Sequence, residues 1–331
     1  VMVLSDAEDP AAAMIAAAIT AKTIPITELA MNRASSVHQN SLREAVAHGF
    51  PEQLALYDSL HPEGQVDVKV HVTEDLTRGE RLDAVADITL RDAKVRYDAF
   101  PYAVEGGVGS LRLTGHRVDV DVRGRHGPAE VGIRGDIQWG SDNPSSRAAL
   151  RLSVTGRNVP LDEDLAAALP AEQRATYNEY HLTGSADMTF DITCDEATGW
   201  KVVHRGDIEL KNVGLVFEAF PYPIEGIEGR LELSPGVFLV KDLHGANAEA
   251  SLSASGNVSR RSDRYEVDLT IRGRHVLLDR DLRGAIAMVA PELWSNLTAE
   301  GRVNVVCRLS QPPEPGSRLA AAVELEAEDV S

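Results

Sequence analysis

Two stretches of this chain say nearly the same thing. Val95–Leu113 reads VRYDAFPYAVEGGVGSLRL and Leu215–Leu233 reads LVFEAFPYPIEGIEGRLEL. Tyr97 aligns with Phe217, Phe100 with Phe220 and Leu111 with Leu231, each pair 120 residues apart (217 − 97 = 120). The likeness runs on in both directions. ADITLRD (Ala86–Asp92) precedes GDIELKN (Gly206–Asn212) by the same interval, and LRLSVTGRNVPLDEDL (Leu150–Leu165) aligns with VDLTIRGRHVLLDRDL (Val267–Leu282). A third element recurs as LYDSLHPEGQVDVKV, TYNEYHLTGSADMTF and LWSNLTAEGRVNVVC, in which Tyr57, Tyr177 and Trp294 each stand seven residues before Gly64, Gly184 and Gly301. A repeat of this period constrains the fold more than any composition can, because one supersecondary unit must be built, and its apolar face buried, more than once. The unit boundaries expected from it are 1–63, a helical segment with the end of a preceding unit; 64–183, one unit; and 184–331, a second unit with the start of a third.

Within a unit the pattern has period two. VDVKVHV places Val66, Val68, Val70 and Val72 on one face and Asp67, Lys69 and His71 on the other. Ala186, Met188, Phe190 and Ile192 repeat it, as do Val303, Val305, Cys307 and Leu309. This is the signature of strands with one buried and one solvated side. Glycines at short intervals suit antiparallel meanders, at roughly seven strands per unit. Two segments break the pattern. In PLDEDLAAALPAEQRATYNEY, Asp162 is placed to cap a helix, with Glu163 and Asp164 favouring its dipole, and Asp279 repeats the layout. Pro170 and Pro291 are expected to split each segment into two short helices, and Ala11–Thr20 reads as an alanine-rich helix. No linker separates the units, so the expected fold is mainly β: tandem repeats forming one long, curled, mostly antiparallel sheet, a taco-shaped groove with short α-helices between units.

Several functions are disfavoured. The formal charge is −18, with 51 acidic against 33 basic residues and no basic stripe, which argues against nucleic acid as a partner. Two cysteines, Cys194 and Cys307, are too few for a disulfide framework and read as isolated thiols. The ten histidines form no zinc-binding spacing, so no metal site is expected. EGGVGS (Glu105–Ser110) lacks the ending of a phosphate loop and reads as a hairpin turn. His126 and His275 read as turn residues. No G-x-S-x-G elbow appears, and Asp162/Asp164 and Asp279/Asp281 are better explained as caps than as a catalytic pair. No enzyme, catalytic residue or cofactor is expected.

The order FPYPIEGIEGRLEL … GANAEASLSASGNV … YEVDLTIRGRHVLLDRDL resembles the AsmA-like proteins of bacterial envelopes, over nearly the whole chain beyond about Leu42 and in more than two copies. The resemblance implies a repeating β-groove that conducts phospholipid between the inner and outer membrane, acyl chains in the groove and headgroups in water. It implies a periplasmic location in a Gram-negative-type bacterium, and tethering to the inner membrane through segments outside this chain. The chain starts and stops part-way through its repeat, and is expected to be an excerpt of a longer polypeptide. Envelope protein partners are left open.

On alternation and repeat equivalence, the residues expected to line such a groove are Val66, Val68, Val70, Met188, Phe190, Leu210, Leu231, Leu233, Leu269, Ile271, Val303 and Val305. Phe100, Tyr102, Phe220 and Tyr222 are expected at a rim, because the adjoining Pro101 and Pro221 cannot donate to a ladder; the competing assignment for these aromatics is a structural staple. A scaffolding repeat protein with a closed core and no lipid cargo is the alternative function. A glycan-active enzyme ranks below both, since aromatics are only 5% of the chain.

Overall fold

The computed structural model describes residues 24–25, 43, 54–74, 82–139, 148–261, 264–289, 300–312 and 320–330. The alanine-rich segment 11–20 and the third helical segment around Pro291, Leu293, Trp294 and Leu297 lie outside these residues. The protein is mainly β, and each strand is hydrogen-bonded to its neighbours in sequence, in one open, linear order from first to fifteenth. Strands β1 to β6 and β9 to β15 pair antiparallel, each with the next. The chain divides into two compact units, Val1–Thr155 with Asp191–Val203, and Gly156–Phe190 with His204–Ser331.

The first unit contains a two-residue strand β1 (Ile24–Pro25), helix α1 (Leu54–Leu60), and strands β2 (Gln65–Glu74), β3 (Leu82–Tyr97), β4 (Phe100–Thr114), β5 (Arg117–His126) and β6 (Ala129–Gln138). Its register shows why alternating sequence makes a two-faced sheet. Val68 pairs with Ile88, Ile88 with Leu111, Leu111 with Val120 and Val120 with Gly135. One residue along, Asp67, Thr89, Ser110, Asp121 and Arg134 form the opposite face. That face is laced across strands by Arg91 Nε donating to Asp67 at 2.6 Å and Arg134 Nη2 donating to Asp121 at 3.0 Å. Helix α1 sets Leu54 and Tyr57 against the apolar face, where Val66, Val68, Ala86, Ile88, Leu113 and Val118 form a buried cluster.

Strand β7 (Ala149–Pro160) passes from the first unit into the second. Helices α2 (Glu163–Ala168) and α3 (Ala171–Glu179) follow, then β8 (Thr183–Cys194), β9 (Val203–Phe217), β10 (Phe220–Ser234), β11 (Val237–Asn247), β12 (Ala250–Arg261), β13 (Arg264–Leu277), α4 (Arg280–Val289), β14 (Gly301–Gln311) and β15 (Ala320–Val330). Asp162 caps α2, accepting from the Leu165 N–H at 3.0 Å, and Pro170 stands at the N-cap of α3. Asp279 does the same for Leu282 at 3.0 Å, so both aspartates serve as helix caps. Helix α4 lays Leu282, Ala285 and Ile286 over Tyr222, Ala250, Val276 and Val303, closing a second buried cluster.

Three sequence-level expectations are corrected. Glu105–Ser110 is no hairpin turn but the middle of β4, where the ladder to β5 slips between Glu105 and Val108. The glycines there permit a bulge rather than a reversal: Gly106 has φ +61° and Gly109 φ +140°. His126 ends β5, stacked on Tyr102 with ring centroids 3.8 Å apart and with Nδ1 2.7 Å from the Ala103 carbonyl. His275 lies inside β13 at φ +54°, where the ladder to β14 slips between Gly273 and Val276.

Candidate functional site

No cluster of chemically active groups draws attention. Among the described residues there is no group of three or more His, Cys, Asp or Glu able to hold a metal ion, and no helix long and apolar enough to cross a membrane. The most distinctive surface is the apolar sheet face, taken unit by unit.

In the second unit the pairings carry apolar side chains across six strands. Ile208 pairs with Leu231, Leu231 with Val240, Val240 with Gly256, Gly256 with Leu269 and Leu269 with Leu309. Flanking rows run Leu233–Phe238–Val258–Val267, Ala254–Ile271–Cys307–Val323 and Leu252–Gly273–Val305–Leu325. Leu210 sits two residues beyond Ile208 and opposes Gly229. Met188 and Phe190 lie on β8 beside small residues: a Cβ added to Gly156 would stand 3.1 Å from Met188 Cγ, and one added to Gly206 would collide with the Phe190 ring. Asp187, just before Met188, accepts from Lys211 Nζ at 2.6 Å and from the Asn158 N–H at 2.7 Å.

Burial separates these residues into two groups. Met188, Phe190, Leu210, Leu231, Leu233, Leu269, Ile271 and Val305 are half-buried. Val303 belongs with the sealed residues under α4. In the first unit Val66 and Val68 are only 1% and 7% exposed, part of the cluster beneath α1. The side chain of Val70 lies outside those described.

The AFPY aromatics have the same local geometry in both copies. Phe100 and Tyr102 have ring centroids 5.9 Å apart at 40°, and Phe220 and Tyr222 6.3 Å apart at 49°. Phe100 is exposed and Phe220 half-buried, whereas Tyr102 and Tyr222 are buried. Tyr222 lies within the cluster capped by α4. Burial pushes its phenol up to about 12, and the nearby carboxylates of Asp279 and Asp281 add to the shift.

The expected lining residues did not include Phe238, Val240, Val258 and Val267, which complete the rows; Leu309 and Cys307, which alternation had placed on the apolar side of their strand, stand in that face, Cys307 between Ile271 and Val323. Alternation on β11, β12 and β13 carried the signal for the first four. Burial raises the Cys307 thiol above its usual range.

Comparison with family models, curated proteins and solved structures finds no match to this chain. A two-faced sheet with salt-bridged polar rows on one side and half-buried aliphatic rows on the other can hold an apolar chain without a single directional contact.

Proposed function

We propose that this protein is a non-enzymatic binder and conduit of acyl lipid, its tandem units curling the sheet into a taco-shaped groove that takes phospholipid acyl chains on its apolar face. The observation that carries this reading is the burial of that face in the second unit. Leu231, Leu269, Ile271, Val305, Phe238 and Val258 are neither sealed like the residues under α4 nor open to water. Burying apolar surface is worth roughly 25 cal/mol per Å², so rows left half-covered across six strands have free energy to gain from an occupant. The opposite face is polar and ion-paired, which leaves only one side of the sheet for lipid. On the resemblance to AsmA-like proteins, the conduit works in the periplasm between inner and outer membrane, tethered through segments outside this chain.

The alternative is a scaffolding repeat protein with a closed core. The sealed clusters under α1 and α4 favour it locally. Two photo-crosslinkers on adjacent residues of β13 separate the two. One replaces Leu269 on the apolar face and the other replaces exposed Asp268 on the polar face. In protein purified from membranes under mild conditions, mass spectrometry is expected to find phospholipid attached at position 269 and not at 268. Protein-only adducts at both positions would count for the scaffold.

A further inference from the structure

Along the polar side of the second unit, cation after cation holds a carboxylate. Lys211 takes Asp187 at 2.6 Å, Arg230 takes Asp207 and Lys241 takes Glu232, each at 2.5 Å. Arg302 takes Glu249 at 2.5 Å and Arg308 takes Glu324 at 2.6 Å. One patch departs from this. Arg272 and Arg274 alternate on β13 with Ile271 and Gly273 of the apolar rows, so both stand on the polar face, and both are exposed. Arg272 opposes Ser253 on β12 and Val306 on β14, and Arg274 opposes Ser251 on β12. His244 on β11 opposes Ser253 from its other side. None of these partners is a carboxylate.

The carboxylates around the patch are engaged or distant. Glu324, one strand beyond Val306, is held by Arg308, and Glu249, two residues before Ser251, by Arg302. Asp268 lies four residues back along β13, about 13 Å at ~3.3 Å per residue. Asp242 on β11 and Glu326 on β15 lie two strands from β13, about 10 Å at ~4.8 Å per strand.

The first repeat copy shows that the patch is not a default of the fold. Ser251 follows Glu130 by the interval that separates Gly256 from Gly135 (251 − 130 = 121; 256 − 135 = 121), and Glu130 holds Arg125 at 3.8 Å. Arg272 follows Thr155 by the interval that separates Arg274 from Arg157 (272 − 155 = 117; 274 − 157 = 117). The second copy has therefore lost an acid and gained a base at one place, in a chain of net charge −18.

Two guanidiniums on one strand face repel each other, and an anion between them removes the repulsion. The positions form a rectangle, about 7 Å from Arg272 to Arg274 along the strand and ~5 Å from each to its serine across the ladder. Each guanidinium is a planar fork that stays charged, and each serine adds a hydroxyl donor, so donors reach a tetrahedral anion from several sides. We propose that Arg272, Arg274, Ser251 and Ser253 form a binding site for a phosphate group, a phosphomonoester whose double negative charge matches the two guanidiniums. The site lies on the opposite side of the sheet from the apolar rows and stands independently of the acyl-lipid reading.

The test applies phenylglyoxal, which condenses with free guanidinium groups, to the whole chain and reads the adducts peptide by peptide by mass spectrometry. Millimolar glycerol 3-phosphate is expected to slow modification of Arg272 and Arg274 about fivefold, the worth of a partly solvated charge-assisted hydrogen bond. Sodium chloride of equal ionic strength should not, and Arg205, exposed on β9 of the same unit, should react at an unchanged rate. A Ser251→Ala/Ser253→Ala variant with the melting behaviour of wild type should need several-fold more glycerol 3-phosphate for the same protection. Phosphatidic acid in phosphatidylcholine vesicles, matched in phosphate, identifies the source: protection equal to or above that of glycerol 3-phosphate assigns the phosphate to a lipid headgroup, and protection by the soluble probe alone assigns it to a small phosphoester. Equal protection by chloride, equal protection of Arg205, or protection unchanged by the serine substitutions reduces the patch to general charge attraction and overturns the site. Absence of protection from both sources overturns it as well, and each of these results leaves acyl binding on the other face intact.

Discussion

Asp67 and Asp187 are 120 residues apart, and so are their cationic partners Arg91 and Lys211 (211 − 91 = 120). A further 117 residues on, Asn304 and Glu328 take these two places, and Asn304 Nδ2 donates to Glu328 at 3.2 Å. His275 supplies what the swap removes, with Nδ1 2.7 Å from Glu328. The acid–base pair is thus kept twice and rewritten once, in each case on the polar face. The Lys211 ammonium, and then the Asn158 N–H, hold the Asp187 carboxyl below its usual range. A carboxyl depressed in the folded state stabilises the fold above its unfolded pKa of about 3.9, and the benefit is lost as pH falls through the folded value. Urea midpoints are therefore expected to drop more steeply below about pH 4 in wild type than in Asp187→Asn, with the two curves parallel above about pH 5. These pairs were invisible as pairs in the sequence, because β-sheet partners sit 24 residues apart and only the register brings them together. The capping aspartates were readable, since a cap and the N–H groups it satisfies are three residues apart.

Each even-numbered strand from β2 to β14 carries, at or just before its start or within it, one glycine with φ between +94° and +145°. They are Gly64, Gly109, Gly135, Gly184, Gly229, Gly256 and Gly301. L-residues rarely adopt that backbone. For six of the seven, the Cβ an alanine would add meets a carbonyl of the following strand; for Gly184 it would stand 2.5 Å from the Asn212 oxygen and for Gly229 2.6 Å from the Asp242 oxygen. Glycine kinks of this kind are how a sheet is bent on purpose. In the sequence these residues looked like turn punctuation, because a glycine needed for a bulge and one needed for a reversal are the same letter. Most of the reversals among the described residues are two-residue turns such as Gly115–His116 and Pro235–Gly236. Gly229→Ala should cost more than about 1 kcal/mol in chemical denaturation, since it adds strain where the fold needs positive φ. Gly115→Ala, at a turn with open space around it, should change stability by no more than about 0.5 kcal/mol.

Across the whole molecule, alternation told which residues share a face but not how deeply each is covered, since cover comes from elements distant in sequence. Val66 and Leu231 look alike as letters in a strand; one lies beneath α1 and the other in a half-buried row. Tyr222 was assigned by its proline neighbour, and α4, some 60 residues later, is what buries it. The same contrast of cover gives a test of what the apolar face is for. Val213 is 1% exposed and pairs with Ile227, itself 6% exposed. An aspartate at Val213 would be a desolvated charge with no partner, and Val213→Asp should fail to fold. Leu231 lies on the same strand pair, β9–β10, in the row that leads through Val240 to Leu269. There water can reach a carboxylate whenever lipid is absent, so Leu231→Asp should keep the far-UV spectrum and cooperative melting of wild type. It should nevertheless lose phospholipid capture at a crosslinker in place of Leu269, because an acyl chain laid along these rows cannot be packed against a charge. If Leu231→Asp unfolds as completely as Val213→Asp, the rows form a dry core and the scaffold reading gains. If it folds and still captures lipid at position 269, the occupied path does not pass Leu231, and the lipid must lie nearer the β12–β14 side of the face.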